Sequence, residues 1–349
     1  MGDRGAERTV EPAMTILRWG ILGPGRIAPR SVRAIAASRR AVAVAVASRN
    51  AERAAGFAAE HGIPQSFGSY DALLASAEVD VVYISLPNHL HAQWTIRALE
   101  AGKHVLCEKP MALTVADVDA IAATCQRTGR IAVEAFMSLH HPQTLRAIEL
   151  AQGGALGELQ LVVGTFSFLL THPGDPRVER SMGGGSLWDV GCYPVNLSRR
   201  IAGEEPDRVG AFARFDANGV DRTFIGQLHF PSGLLAQFDS GFAAPDRERV
   251  EIVGSEARLI LDAPFLPAPD GPLPSLTMWR GRSATAIEVP TVDQYQAEVD
   301  DLTAAILDGA LPRLDLSFSR GSIATLVDLD RAARANAGLP ASQADETPN

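Results

Sequence analysis

The sequence predicts an α/β protein with two parts: a doubly wound parallel sheet first, then an α+β part with a large, mostly antiparallel open sheet. Two observations carry this prediction. In the first third, mainly apolar runs without a regular alternation of polar residues are separated by helix-like stretches, and after about residue 155 strand-like runs are separated by turn signals. The 349 residues, 46% of them hydrophobic, are enough for two cores.

The strands of the first part are predicted from apolar runs that would be buried on both faces of a sheet. The runs lie at residues 15–22, 41–47, 79–86, 103–107 and 130–137. Helix-like stretches separate them, beginning at Ile27 and spanning residues 50–62, 89–102 and 114–129. Strands that alternate with helices predict βαβ units and therefore a parallel sheet.

The second part shows strand-like runs separated by turn residues, a pattern that is typical of β-hairpins. Strand-like runs lie at residues 159–170, 207–216, 222–242 and 249–262, and Asn218-Gly219 and Pro231-Ser232-Gly233 are hairpin signals. Helices are predicted at 294–309 and from Ser317, with a surface loop at 263–274. We therefore expect a disordered leader at 1–14, a first domain at 15–137, a second domain at 138–340 and a disordered tail at 341–349.

Composition excludes several classes of function. A formal net charge of -9 and the lack of a basic run argue against a nucleic-acid or anionic-membrane partner. The leader has no apolar stretch typical of a signal peptide, and no later run approaches a membrane span. Three cysteines cannot all pair, which favours the cytoplasm, and the eight histidines show no metal-ligand spacing.

The first chemical motif is GxGxxA at residues 23–28, directly after a predicted strand and opening a helix. Gly23 and Gly25 allow a tight turn and the close approach of a pyrophosphate to the helix N-terminus, with Arg26 and Ile27 in the same loop. The motif predicts dinucleotide binding on a Rossmann-type sheet. A plain glycine turn, or a nucleoside ligand such as S-adenosylmethionine, is the alternative.

The end of the second strand predicts which dinucleotide binds. An NAD-binding chain places an acid there, whereas this chain has Ser48, Arg49 and Asn50, with Arg53 one turn later. Because a guanidinium binds phosphate oxygens through charge-assisted bonds, these residues favour NADP over NAD. In the alternative interpretation, the arginines form a solvated basic face and Ser48 and Asn50 only cap a helix.

Two further motifs present charged groups. Glu108-Lys109-Pro110 ends a predicted strand at the cofactor edge of the sheet, and its proline is a candidate for a cis peptide bond that would aim the lysine. In GGGSLWDVGCYP, residues 183–194, Asp189 and Tyr193 would share one helix face, with a kink at Pro194. Alternatively, Lys109 is merely solvated, and Ser186 and Asp189 form a capping box.

These motifs, together with LPNHLH at 86–91 and EAFM at 134–137, resemble in order and spacing the Gfo/Idh/MocA family of oxidoreductases. The chain is most similar to the branch of dimeric dihydrodiol dehydrogenase, glucose-fructose oxidoreductase and NADP-dependent D-xylose dehydrogenase. The resemblance implies catalytic roles for Lys109, Asp189 and Tyr193, and substrate contacts for Arg177, Asp189 and Tyr193. It also implies that the nicotinamide side is lined by Leu86, Pro87, Asn88 and His91. We expect Glu108 and Lys109 to contact the cofactor as well. Relatives often carry a Tyr-Arg pair where this chain has Ser138-Leu139.

The resemblance implies a function and a partner. We expect hydride transfer between NADP(H) and a CH–OH group of an aldopyranose of the D-xylose or D-glucose type, with Tyr193 as the proton-transferring group and Lys109 favouring its phenolate. Trans-dihydrodiols or inositols with NADP or NAD are the alternatives, followed by a non-catalytic dinucleotide-sensing regulator. A homodimer or homotetramer through the C-terminal sheet is also expected.

Overall fold

The computed structural model of the chain describes residues 14–172, 174–267 and 275–340. The predicted leader up to residue 13, the predicted tail at 341–349 and most of the predicted loop at 263–274 lie outside the described residues. None of the helices in the described ranges combines the length and the apolar character that crossing a bilayer requires.

The first sheet is parallel and has six strands in the order β3-β2-β1-β4-β5-β6. Its strands are β1 (Leu17–Leu22), β2 (Ala41–Ala47), β3 (Gln65–Phe67), β4 (Val81–Ile84), β5 (His104–Glu108) and β6 (Ala132–Ala135). Every residue of β4 is buried, because helices cover both faces. The strand at 41–47 is as predicted, whereas β3 has only three residues and no apolar run to reveal it.

The helices that wrap this sheet begin and end at residues suited to those positions. They are α1 (Ala28–Ala37), α2 (Ala51–His61), α3 (Tyr70–Leu74), α4 (His91–Glu100) and α5 (Val115–Thr128). The side chains of Asn50 and Thr114 accept hydrogen bonds from backbone N–H groups at the starts of α2 and α5. Gly62 and Gly129 end the same helices with positive φ, which only glycine adopts without cost.

The second sheet has eight strands in the order β14-β13-β12-β11-β7-β10-β9-β8, and only β7 and β10 pair in parallel. The predicted fold class is therefore confirmed. The strands are β7 (Leu159–Leu169), β8 (Arg208–Phe215), β9 (Asp221–His229), β10 (Leu235–Gly241), β11 (Ala243–Gly254), β12 (Arg258–Asp262), β13 (Ser275–Arg280) and β14 (Ser283–Ile287). The helices of this part are α6 (Pro142–Gln152), α7 (Cys192–Ala202), α8 (Gln294–Asp308) and α9 (Leu316–Asn336).

Both predicted hairpins are present, with Gly219 and Gly233 at positive φ between β8, β9 and β10. One face of this sheet is buried against α7 and α9. Helix α9 contacts β8 of the second sheet and β6 of the first, and α8 packs on α1, where Ser38 Oγ lies 2.6 Å from Asp300 Oδ1. The carboxyl edge of the parallel sheet therefore faces elements of the second part, and the predicted site residues gather there.

Candidate active site

The glycines of the GxGxxA loop are required by close backbone approaches. Gly23 has φ +86, and a Cβ there would lie 2.7 Å from Leu86 Cδ2. A Cβ at Gly25 would lie 3.1 Å from the carbonyl oxygen of Ser85. The loop leads into α1, and Ile27 at its N-cap position makes no side-chain capping bond within the described structure. Backbone N–H groups at such an uncapped helix start suit a pyrophosphate, so the loop fits a dinucleotide.

The end of β2 carries no carboxylate, and its polar residues divide into two kinds. Asn50 accepts a 2.9 Å bond from the N–H of Arg53, and Ser48 is buried and accepts from the N–H of Asn50, so both stabilise the turn into α2. Arg53 donates a 2.7 Å bond to the carbonyl of Pro24, which ties it to the glycine loop. Arg49 is exposed. Arg53 is exposed as well, so both guanidinium groups lie at the surface beside the glycine loop.

The segment at residues 86–91 is held by its own polar groups. Asn88 Nδ2 donates to the carbonyl of Gly183 at 2.9 Å and so joins this segment to the triple-glycine turn. His91 is fully buried, and its two ring nitrogens each lie 2.7 Å from a carbonyl oxygen, of Leu86 and Pro110. The expectation that His91 lines the cofactor site is therefore corrected: burial places it behind the segment, where it supports the turn after Lys109.

At the end of β5, the Lys109–Pro110 peptide is cis, as the motif suggested. Glu108 accepts a hydrogen bond from the hydroxyl of Tyr83, and burial raises the pKa of Glu108. Lys109 instead bonds to Asp189 of the second part. Its ammonium donates to the carbonyl oxygen of Asp189 and lies 3.0 Å from Asp189 Oδ1. Glu108 was predicted as a cofactor contact, and the structure shows it bonded to Tyr83 inside the first domain.

The helix that carries Asp189 begins irregularly. Leu187–Gly191 form a π-helical turn that continues directly into α7, and Pro194 lies in the first turn of α7. The widened turn takes the place of the predicted kink, since a proline has no N–H to donate. The capping-box interpretation is wrong, because Ser186 makes no capping bond and its hydroxyl binds Asp221.

Asp189 lies between two cations. Lys109 Nζ is 3.0 Å from Oδ1, and Arg177 Nε is 2.8 Å from Oδ2. Burial alone would raise the pKa of Asp189, but the charges of Lys109 and Arg177 outweigh it and the net shift is downward. Burial likewise opposes the charge on Lys109, whereas Asp189 raises its pKa above the usual value. The triad therefore holds an ionised carboxylate between two permanent cations.

Tyr193 lies one turn from Asp189, in an aromatic cluster with Phe136, Phe166 and Phe265 at ring-centroid distances of 4.9, 5.3 and 5.4 Å. Its hydroxyl lies 3.6 Å from Met137 Sδ. Lys109 Nζ faces the ring, 5.0 Å from its centroid. Burial raises the pKa of Tyr193 well above its usual value of 10, so the expectation that Lys109 favours the phenolate is wrong for this arrangement.

Each of the three consecutive glycines lies against a different neighbour. A Cβ at Gly183 would lie 2.7 Å from Leu113 Cδ1, and one at Gly184 would lie 2.6 Å from the carbonyl oxygen of Arg177. A Cβ at Gly185 would overlap with the carboxylate of Asp221. The motif therefore lets the chain pack against the first domain, its own preceding segment and β9 within three residues.

Sequence reasoning missed Asp175, whose buried carboxylate lies 3.2 Å from Arg26 Nη1 and 3.5 Å from Arg177 Nη1. It connects the GxGxxA loop to the arginine that binds Asp189. It also missed Tyr83 and Asp221. No motif surrounds these three residues, and only the folded chain brings them to the site. Trp188 is 7% exposed and packs in the core.

Comparison with known proteins identifies the family. Residues 17–136 match the model of the GFO_IDH_MocA oxidoreductase family with its NAD-binding Rossmann fold, and residues 144–260 match the GFO/IDH/MocA C-terminal domain. The NADP-dependent D-xylose 1-dehydrogenase 2 of Haloferax volcanii is 36% identical over 93% of this chain and 99% of its own length.

Two further relatives span different chemistry. The crystal structure of aldose-aldose oxidoreductase from Caulobacter crescentus superposes with a TM-score of 0.85 at 31% identity, covering 92% of this chain and 98% of that chain. Trans-1,2-dihydrobenzene-1,2-diol dehydrogenase of Bos taurus is 35% identical over 69% of this chain and 72% of its own length. These matches confirm the resemblance that the motifs indicated.

Proposed function

The chain belongs to the GFO/IDH/MocA family of oxidoreductases, and from that premise we propose that it transfers a hydride between NADP(H) and a CH–OH group of a sugar or related cyclic polyol. An aldopyranose of the D-xylose or D-glucose type is the leading substrate. The observation that carries the proposal is the partly buried Lys109–Asp189–Arg177 triad at the carboxyl edge of the Rossmann sheet.

Lys109 is the group that we assign to the reacting oxygen. An ammonium has three donors, and two of them bond to the carbonyl and carboxylate oxygens of Asp189. The third has no protein acceptor in the described part of the chain, so it can donate to a substrate hydroxyl or carbonyl. A fixed positive charge in a buried site stabilises the negative charge that develops on that oxygen. Asp189 raises the pKa of Lys109 and orients its ammonium, and Arg177 favours the ionised form of Asp189.

The bound nicotinamide supplies or accepts the hydride. Tyr193 takes part as a neutral phenol, since burial raises its pKa. Its hydroxyl has only the weak thioether acceptor of Met137 in the described structure. A substrate oxygen would be a stronger acceptor, so the phenol can donate to a carbonyl in reduction, or orient a hydroxyl in oxidation.

The choice of NADP rests on the end of β2. The glycine loop and the uncapped start of α1 suit the pyrophosphate of either dinucleotide. An NAD enzyme would bind the ribose through a carboxylate here, whereas this chain offers the exposed guanidinium of Arg49. A guanidinium matches a 2′-phosphate in charge and geometry. The D-xylose dehydrogenase relative is named as an NADP enzyme, in agreement.

A trans-dihydrodiol is the second candidate substrate, and the aromatic cluster favours it. Phe136, Phe166 and Phe265 surround the ring of Tyr193, and the hydroxyl of Tyr193 faces Met137. These rings are buried, so the surroundings of the Tyr193 hydroxyl are apolar; they offer few donors to the several hydroxyls of a sugar ring and suit a substrate whose far edge is hydrocarbon.

We also propose a homodimer through the outer face of the eight-stranded sheet. Phe212 and Ile225 lie directly opposite each other on β8 and β9, and they are 67% and 52% exposed. Leu235 of β10 lies on the same face and is 48% exposed. An exposed apolar patch of neighbouring side chains is typical of an interface. Size-exclusion chromatography with light scattering tests this proposal, and a monomer would contradict it.

The experiment that tests the function has two arms. Purified protein is titrated with NADPH and with NADH by fluorescence, alongside Arg49→Ala and, as a matched control, Arg33→Ala, which removes an exposed arginine of α1. We expect NADPH to bind more tightly, and Arg49→Ala to weaken NADPH binding about tenfold, or roughly 1.4 kcal/mol, while NADH binding is unchanged. NADH preference in the wild type would overturn the cofactor assignment.

In the second arm, NADP⁺ is offered with D-xylose, D-glucose, a trans-dihydrodiol and myo-inositol, and NADPH formation is followed by absorbance. Turnover of an aldopyranose supports the leading proposal, and turnover of the dihydrodiol alone supports the second. Turnover of myo-inositol alone would overturn both substrate assignments. If the dinucleotide binds but none of the four substrates is turned over, the proposed substrate class would be contradicted. The proposed cofactor site would still be supported.

A further inference from the structure

The start of the helix that carries Asp189 rests on a carboxylate from a distant strand. Asp221 is the first residue of β9 and is 3% exposed. Its Oδ2 accepts a 2.6 Å hydrogen bond from the hydroxyl of Ser186 and a 2.8 Å bond from the N–H of Leu187. We propose that Asp221 is a positioning residue of the active site, which caps the π-helical turn from outside and thereby sets the place of Asp189.

The contacts run from Asp221 to the catalytic triad without a gap. Asp221 holds residues 185–187, because Gly185 lies directly against its carboxylate. The carbonyl oxygen of Gly185 accepts a 3.0 Å bond from the N–H of Asp189. The carbonyl oxygen of Asp189 accepts in turn from Lys109. A shift of the Asp221 carboxylate therefore moves the backbone to which the catalytic lysine is bonded.

A negative charge suits this position. Helix N-termini carry unpaired N–H groups and a partial positive charge, and an ionised carboxylate stabilises both. Ser186 cannot cap the helix itself, since its hydroxyl is engaged with Asp221 and lies 3.1 Å from Ser240 Oγ. The chain thus replaces a local capping residue with one that is 34 residues away from Leu187.

Charged groups approach Asp221 from several elements. Asp330 of α9 is close enough to raise its pKa, and Asp330 is itself paired with Arg334, whose Nε lies 2.8 Å from Oδ2. Arg334 also donates to the carbonyl of Gly219 in the β8–β9 turn, and Arg180 lies beside the same glycine. Arg222 follows Asp221 in β9. Asp330 therefore opposes the charge on Asp221, although Asp330 is itself paired with Arg334.

Burial and the neighbouring groups together place the pKa of Asp221 near neutral pH. Burial is the largest influence and raises its pKa to about 7, against the bonds from Ser186 and Leu187 that lower it. Because this pKa is raised relative to the unfolded chain, the stability that Asp221 contributes is present at low pH and is lost as pH rises through about 7. The hydrogen bonds from Ser186 and Leu187 to Asp221 become stronger as pH rises, since the ionised carboxylate is the stronger acceptor. A rise in pH through this range should therefore increase kcat while it lowers the free energy of unfolding.

The test uses Asp221→Asn and Ser186→Ala. Asp216→Asn is the matched control, because Asp216 also accepts backbone N–H bonds, from Asn218 and Val220, but lies in the β8–β9 turn. We expect Asp221→Asn to lower kcat about tenfold or more with NADPH affinity unchanged, and to remove a rise in kcat near pH 7. Ser186→Ala removes a donor to the carboxylate, so the same rise should move upward by roughly one pH unit.

A second readout does not depend on turnover. Hydrogen exchange of the peptide spanning residues 185–193 should be at least about tenfold faster in Asp221→Asn than in the wild type, and unchanged in Asp216→Asn. The inference rests on the proposed function for its link to catalysis, and the exchange measurement separates the two. Wild-type protein that turns over no substrate, with exchange altered as expected, would defeat the proposed function alone. Wild-type exchange in Asp221→Asn, or a pH profile of kcat identical to that of the wild type, would overturn the role of Asp221.

Discussion

Replacing Gly184 with alanine tests whether the triple glycine positions the site through its close backbone contacts. A Cβ at this position would lie 2.6 Å from the carbonyl oxygen of Arg177 and 2.8 Å from that of Glu179. Ordinary contacts begin near 3.4 Å, so the two carbonyls overlap with the new atom by about 0.6–0.8 Å. Both belong to rigid backbone, and the preceding segment must therefore move as a unit.

The cost follows from the bonds at the same place. Gly184 donates to the carbonyl of Glu179 and Gly185 to that of Arg177, each at 3.0 Å. Overpacking costs about 1–3 kcal/mol and each of the two strained hydrogen bonds about 0.5–1.5 kcal/mol, so we expect destabilisation of about 2–6 kcal/mol. The shift also draws Arg177 away from Asp189, and kcat should fall about tenfold or more.

Urea unfolding followed by tryptophan fluorescence measures the stability change, and Gly56→Ala is the matched control. Gly56 lies inside α2 with open space around a new Cβ, so its replacement should stabilise the protein by about 0.5–1 kcal/mol. The two substitutions are chemically identical and are expected to have opposite signs. If Gly184→Ala were as stable as Gly56→Ala, the close contacts at the triple glycine would not determine its geometry.

Three other outcomes are expected. Lys109→Ala should lower kcat by about 10²–10³-fold while NADPH affinity by fluorescence stays within about threefold, and an unchanged kcat would refute the assignment of Lys109. Arg177→Gln removes one of the cations that lower the pKa of Asp189, so the acid limb of kcat against pH should move upward; a limb that stays in place would contradict the pairing. Burial lowers the pKa of His104 and of His141 to about 4, below their usual 6.5, so the folded state loses stability as pH falls from 6.5. The double variant with glutamine at both positions should lose about 4 kcal/mol less between pH 7 and pH 5 in urea unfolding, about 2 kcal/mol for each histidine.

The fold was predictable where the sequence repeats a strong local signal. The runs at 41–47 and 103–107 have no polar interruption, and they form β2 and the start of β5 as expected. The three residues of β3 are too short and polar to stand out, and β13 and β14 lie beyond the proline-rich stretch, where no hairpin signal was found. Pairing with neighbouring strands stabilises these segments, so their own residues carry little evidence of it.

For the candidate site as well, strong local motifs made some residues predictable, whereas contacts between distant residues were not. Gly23, Lys109, Asp189 and Tyr193 were identified from motifs, because a tight turn, a strand end and a helical repeat each restrict which residue types can stand at fixed spacings. Arg177 was implied only by the resemblance to the family, from its place before the triple glycine. Its pairing with Asp189 could not be read from that place.

By itself, the sequence determined the fold class, the family and the residues that bear charge at the carboxyl edge of the first sheet. Only the tertiary structure decided the state of those residues. Burial among aromatic rings raises the pKa of Tyr193 above its usual value, and His91 is buried with a carbonyl oxygen 2.7 Å from each ring nitrogen. The carboxylate of Asp221 reaches the helix start from another strand. Burial and long-range contacts set pKa values and positions, and both are properties of the packed chain, whereas spacing along the sequence fixes only local geometry.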